Sequence, residues 1–549
     1  MKTKVYLWVI VLLVSLSLCL WAGGGSQTRQ AGAQPQGAYQ RDPNLNLPGV
    51  FPINKTKVSL KVGIQQSATV EDWKTNWMTL QMEKNGNYDL IFEIYPAGEM
   101  AQKFELMVMA GGMDLPDVMM GGISLATATK YGQAGMIIPT NDYYKNSAHF
   151  INQAMSELDI DPFKYITSYD GNIYGVFGIT VSLNNEFSAA RIMIYEPWLQ
   201  RLNLPMPQTI NEYLTVLRAF RDRDPNGNNI QDEIPLVGQR DNMGTNFLYA
   251  MMTPFIYTQG GYWTLNNNKI DVAFNKPEWR EGLRFTKQLI DEKLLSPLSF
   301  TQDNTQLVAM ISPDPPKVGS YVGVSASSLG ANDTKRLEYV LLPPLQGPGG
   351  RQAVWNPTLP GITMVITKNC KSPESAFMLG DYMCSEEMSV GTRWGEKGVD
   401  WVVPGPNDKS MYDSLGYKAT ITPISIWGVL QNKWWSEVGP HIISAKWPVG
   451  QTSSNNFDAS IAIGRSIGPA VQYANRNPIV GLIYNEQEQE VMNNLHQTIL
   501  TYVQESFARF VMGDLSIDRD WDSYLAEFDK MGLADIIKAT QSCWDRMNQ

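Results

Sequence analysis

The sharpest chemical signal in this chain is the run Asp224-Pro225-Asn226-Gly227-Asn228-Asn229-Ile230-Gln231-Asp232-Glu233. Asp224, Asn226, Asn228 and Asp232 fall at alternate positions, Ile230 stands where a main-chain carbonyl can serve, and Glu233 adds a carboxylate. Calcium takes roughly six to eight hard oxygen ligands in a flexible cage, and a tight loop supplies them at such spacing. An amphipathic helical stretch, Ile210 to Arg221, leads into the run, as in helix–loop calcium motifs. The loop departs from the EF-hand pattern, with Gly at its fourth position and Pro235 where the bidentate Glu would be. The expectation is a Ca2+ ion held by Asp224, Asn226, Asn228, the Ile230 carbonyl, Asp232 and Glu233. Because every ligand is local, its role would be structural, pinning a loop to its helix. A polar turn with solvated charges is the other reading of the same residues.

The surrounding pattern is of mixed α/β type. Val58 to Ile64 alternates like a strand, Trp73 to Lys84 has helical spacing, and Asp89 to Pro96 reads as a second strand. Ala101 to Met109 is helical again, and the Gly111–Met120 stretch ends as a buried strand. This order predicts a largely parallel sheet with helices on both faces, which binds ligands beyond the carboxyl ends of its strands. Pro277 to Glu292, Pro373 to Cys384, Glu505 to Met512 and Trp521 to Met531 are further helices.

At 549 residues the chain exceeds one ordinary core. Its net charge of -10 argues against nucleic acid as a partner. The 16 Trp suit a protein that stacks flat apolar faces onto ligands. Lys2 and Lys4, the apolar run Val5 to Leu20, and Ala22 form a secretory signal, so residues 1–22 are expected to be removed on export. Cleavage before Cys19, leaving a lipid-carrying Cys, is the alternative. Residues 23–57, rich in Gly, Gln, Pro and Ala at the start, read as a flexible tether. Cys370 and Cys384 flank a helix and would lie about 20 Å apart, too far for a disulfide.

With that loop in view, the chain resembles family 1 of the bacterial extracellular solute-binding proteins, the substrate-binding proteins of ABC transporters. It is most similar to their large oligosaccharide-binding subgroup, which includes alginate-binding proteins. The resemblance rests on P-Q-T-I-N-E-Y-L-T-V-L-R-A-F-R-D-R-D-P-N-G-N-N-I-Q-D-E-I-P-L, A-G-G-M-D-L-P-D-V, Y-D-G-N-I-Y-G-V, K-S-P-E-S-A-F-M-L-G-D-Y-M-C-S-E-E with R-W-G-E-K-G-V-D-W, and the closing helices from Phe510 to Leu533. It implies a periplasmic-binding-protein type II fold: two α/β lobes, a hinge, and a ligand cleft between them. Lobe 1 would use 58–180 and 345–392, and lobe 2 would use 181–344 and 393–549. It also implies capture of a carbohydrate, delivery to ABC permease subunits, no catalysis, and a monomer in the periplasm or on the outer face of the cytoplasmic membrane.

Sugars offer apolar C–H faces and a rim of hydroxyls, so aromatic platforms and planar polar groups are the residues to seek. The expected ligand contacts are Trp73, Trp77, Tyr174, Trp355, Trp394 and Trp427, with Arg393, Glu396 and Arg240 as polar candidates. Trp434 and Trp435 are assigned to lobe 2. A glycan hydrolase would need two carboxylates about 5–10 Å apart, and no local arrangement marks such a pair. There is no G-x-S-x-G, H-E-x-x-H or G-x-x-x-x-G-K-[ST] motif. A sensor subunit and a peptide-binding protein would use the same architecture and stay open at this point.

Overall fold

Alternation places Leu60, Val62 and Ile64 inside and Ser59 and Lys61 outside along the strand Val58–Gln65. In the computed structural model this strand pairs in parallel with Tyr88–Tyr95 on one side and Val118–Met120 on the other. The structure describes residues 39–96, 98–240, 247–323, 335–425, 429–452, 467–468, 470–475 and 478–548. The signal segment 1–22 therefore lies outside the described residues. Residues 1–41 and 42–549 separate into two compact units; all that follows concerns the second.

The first sheet continues through Gly361–Ile366, its single antiparallel member, to Val176–Thr180 and the edge strand His441–Ile443. A second sheet runs Tyr339–Leu341, Ile192–Tyr195, Val318–Val322, Ile234–Val237. Each sheet organises its own apolar core. The two-lobed α/β architecture expected from the sequence is what the chain adopts.

The helices sit where periodicity placed them, with ends set by caps. Thr209 and Glu212 form a reciprocal capping box at the start of helix Ile210–Asp222. The first helix begins at Trp77 rather than Trp73, because the Asp72 carboxylate accepts from the N–H groups of Lys74 and Thr75 and the Asn76 side chain caps the helix. Helix Pro373–Met383 is buried from Glu374 through Met383 and is polar only where it fastens other segments. Asp381 accepts hydrogen bonds from the N–H groups of His149, Phe150 and Ile151 at 2.9–3.2 Å. Burial nevertheless raises its carboxyl above the usual range. The three cysteines 370, 384 and 543 are buried and unpaired.

Two boundaries differ from expectation. The segment from Asp42 to Lys57 is not tether: Leu45, Ile53 and Asn54 are buried, and the Asp42 N–H donates to Glu374 at 2.8 Å. Residues 434–443, assigned to lobe 2, complete lobe 1. Trp435 meets Trp73 edge-on at 5.2 Å and donates to Thr79, and His441–Ile443 adds an edge to the first sheet. The reason is apolar area: burying two indoles and a strand outweighs the long excursion between residues 393 and 434.

The chain passes between the cores after Thr180, after Leu341 and after Ile443. These three crossings share a small core, made by Phe187, Ala353, Val449, Ile467 and Ala470 together with Tyr412 from the 393–434 excursion. The second crossing lies directly on lobe 2 backbone. A Cβ at Gly347 would stand 2.2 Å from the Pro254 carbonyl oxygen, so only glycine fits there.

Candidate functional site

At the crossings the polar chemistry converges on Glu186, which is 8% exposed. One carboxylate oxygen accepts from the Trp355 indole N–H at 3.0 Å and the other from the Thr358 N–H at 3.2 Å. The Glu186 main-chain carbonyl accepts from the Asn356 N–H at 2.8 Å. The first and second crossings are thereby fastened to one another at a single residue. Beside them Arg191, 3% exposed, donates to the carbonyls of Phe187 and Asn184, and burial draws its guanidinium down to about 10. A small cavity of about 60 Å³ opens between the crossings and lobe 2, lined by Phe187, Arg191, Pro254, Leu345 and Val354 among others.

At the edge of the first sheet a second, partly buried carboxylate, Glu437, accepts from Arg393 at 2.7 Å and from the Thr180 hydroxyl at 3.0 Å. Burial raises its carboxyl, but Arg393 and then His441 more than offset this, so it is held below the usual range. Thr180 ends the strand that leads into the first crossing, so this ion pair anchors lobe 1 at the hinge. Neither Glu186 nor Glu437 was a sequence candidate. Glu437 is an acidic residue close to apolar and aromatic neighbours, whereas Glu186 follows two asparagines in a polar stretch and gives no signal.

The expected aromatic platforms divide. Trp73 is 2% exposed, wedged between Phe92 and Trp435, and is a core residue. Tyr174 is buried against Gly132, with its hydroxyl donating to Asp170. Trp394 belongs to a small core with Trp401, Ile421 and Ile443. In all three the ring face is already covered by its own lobe, which removes it as a platform. Trp355 and Trp77 remain partly exposed. Trp355 is the one the structure brings to the crossings. Trp77 packs near Gly391, and its indole N–H has no partner. Trp427 lies outside the described residues.

The oxygen-rich loop is a built structure. Asp224 accepts from the N–H groups of Gly227, Asn228 and Asn229 at 2.9–3.1 Å. Asn226 accepts from Asn228 N–H, and Asn228 accepts from Ile230 N–H. The side-chain amides of Asn226 and Asn228 both turn to one oxygen of Asp232, whose other oxygen meets Lys317 at 2.5 Å. The Ile230 carbonyl accepts from Asp232 N–H at 3.0 Å. Both oxygens of Glu233 are buried without a hydrogen-bond partner. Burial, followed by the nearby Asp224 and Asp232 carboxylates, raises the Glu233 carboxyl. Among the described residues no three His, Cys, Asp or Glu side chains gather into a metal cluster. The loop's donors are instead mixed carboxylate, amide and carbonyl oxygens, and its orphaned Glu233 is the feature that fits a hard cation.

Gly227 has φ +75°, and a Cβ there would fall 2.1 Å from the Arg201 guanidinium. Arg201 can swing aside, so the left-handed backbone carries the penalty. Gly227→Ala is expected to cost about 1–2 kcal/mol in urea unfolding. A variant as stable as the parent would show that the loop backbone is not held in this conformation.

The chain matches the family model for bacterial extracellular solute-binding proteins over residues 77–395, more than half of its length. It is 24% identical over its whole length to the fructooligosaccharide ABC transporter substrate-binding protein FusA of Streptococcus pneumoniae, covering 99% of that protein. It is 23% identical to the polygalacturonan/rhamnogalacturonan-binding protein YtcQ of Bacillus subtilis over 50% of this chain and 52% of that one. Among solved structures, FusA bound to kestose superposes with a TM-score of 0.70, at 22% identity, over 89% of this chain and 99% of that one. An alginate-binding protein, AlgQ2, superposes with a TM-score of 0.59, at 19% identity, over 91% and 100%. FusA has also been solved as an EF-hand mutant with fructo-nystose. With two lobes, three crossings and this match in hand, the chain belongs to the bacterial extracellular solute-binding proteins.

Proposed function

We propose that this protein is the exported solute-binding component of an ABC importer. It captures an oligosaccharide between its lobes and hands it to membrane permease subunits as a monomer. The observation that carries this reading is the clasp at Glu186. Two lobes, each with its own core, joined by crossings tied through Glu186, form a device that opens and closes, and a ligand touching both lobes shifts it towards the closed form. The full-length similarity to FusA supports a carbohydrate as the ligand. Trp355 would supply a stacking face at the crossings, and Trp77 a second one from lobe 1. Export would follow from residues 1–22, with anchoring through Cys19 as the alternative; similarity to the Bacillus subtilis lipoprotein LipO keeps that alternative in view.

The test is thermal unfolding of residues 23–549 with a panel of oligosaccharides. A ligand at 100 times its dissociation constant adds about 2.7 kcal/mol, read as a raised midpoint with no product formed. Absence of any shift across the panel removes carbohydrate from the reading, and turnover of a glycan removes the binding-protein reading.

Calcium would be held by Asp224, Asn226, Asn228, Asp232 and Glu233 with the Ile230 carbonyl, neutralising carboxylates that now crowd one another. Chelation is expected to lower the unfolding midpoint, by up to about 2.7 kcal/mol where the ion had been at 100 times its dissociation constant. Asp224→Ala should abolish the difference. A midpoint indifferent to both chelator and added Ca2+ would return the loop to a simple polar turn.

A further inference from the structure

Lobe 2 carries a depression of about 730 Å³ beside the second crossing. Its lining comes from Phe255–Gln259, the hairpin strand Trp263–Asn266, the start of helix Pro277–Asp291, and the second and third crossings at Gln352 and Asn475. No residue of the first core lines it.

Its chemistry is that of a glycan surface. Tyr257 provides a partly exposed aromatic ring, and Gln259, Asn266, Gln352 and Asn475 provide planar amides that can bridge neighbouring hydroxyls. Its charge is acidic: Asp271, Glu278 and Glu281 face a single lysine, Lys276, which is already paired with Asp271 at 2.6 Å. Such a lining repels a uronate and accepts an uncharged polyol. Two further observations mark the place. Gln259 is 1% exposed, and its side-chain oxygen has no partner. Trp263 is backed by His496, stacked at 5.9 Å and 11°, on a π-helical turn Met492–His496, a distortion often found at functional sites. The His496 Nε2 is also buried without a partner.

We propose that this depression is a second glycan site, selective for uncharged oligosaccharides; the assignment rests on the carbohydrate reading above. Since no residue of the first core lines it, a glycan held here does not bridge the two lobes as the interlobe ligand does. It holds a glycan on the open protein independently of the interlobe ligand.

Native mass spectrometry of residues 23–549 with kestose, maltotetraose, xylotetraose and tetragalacturonate tests this. At least one neutral probe is expected to bind as two copies per chain, and tetragalacturonate as no more than one. The double variant Asn266→Ala/Glu278→Ala, both at exposed positions, should weaken the second copy at least tenfold and leave the first unchanged. One copy only, or a second copy that survives in the double variant or is equally occupied by tetragalacturonate, overturns this site alone. No neutral glycan bound at any stoichiometry overturns the carbohydrate reading together with it.

Discussion

Asp381→Ala is expected to lower the unfolding free energy by about 3–5 kcal/mol, the range for removing one partner of a buried, hydrogen-bonded charge. Asp381 is 2% exposed and lies inside a helix whose every neighbour is buried. Its two oxygens gather the N–H groups of His149, Phe150 and Ile151, the opening turn of helix Phe150–Met155. An alanine leaves those donors unsatisfied in a site with no room for bulk water, and it removes the negative charge that favours a helix N-terminus. Asp381→Asn keeps the shape and one acceptor oxygen, so it should recover part of the loss. Urea unfolding at neutral pH reads both variants. A loss under 1 kcal/mol for the alanine variant would mean that water or a shifted helix satisfies the three donors, and that the segment 149–155 is not fastened through this residue.

Asp381 also shows where reading the sequence stops. The apolar period of S-P-E-S-A-F-M-L-G-D-Y-M locates helix Pro373–Met383 well, because periodicity is local. It does not reveal that the helix is buried on all sides, since the surfaces covering Glu374 and Asp381 come from residues 42 and 147–151. The strands Val58–Gln65 and Tyr88–Tyr95 and the loop 224–233 were legible for the same reason: alternation and oxygen spacing lie within a few residues. The aromatic site was not. Whether Trp73 offers its face to a ligand or to the core is decided by Trp435, hundreds of residues later, and composition cannot tell a platform from a packed ring. Misplacing residues 434–443 followed from the same limit. A strand of three residues joining a sheet edge has no period to read. The binding-protein reading survived because it rested on the order of several segments rather than on any one ring, and the full-length likeness to FusA agrees with it.

Glu186→Ala should both destabilise the protein, by about 3 kcal/mol, and weaken glycan binding about tenfold. The first effect follows from hydrogen bonds to a charged group, worth about 1.5–3 kcal/mol each and not additive: the Trp355 indole N–H and the Thr358 N–H both lose their acceptor. The second follows from population. With the clasp removed, the crossings gain freedom and the closable form becomes a smaller fraction of the ensemble. Apparent affinity falls by that fraction even where every ligand contact is intact. Glu186→Gln separates the two effects from a mere packing defect, since its amide oxygen can still receive one of the two donors and should restore most of the affinity. Calorimetric titration gives the affinities, and small-angle scattering with and without glycan gives the extent of closure. The alanine variant should scatter as a more open particle without ligand and still compact when saturated. If it binds as tightly as the parent and scatters identically in both states, the tie at Glu186 is packing only, and the lobes move about some other point of the crossings.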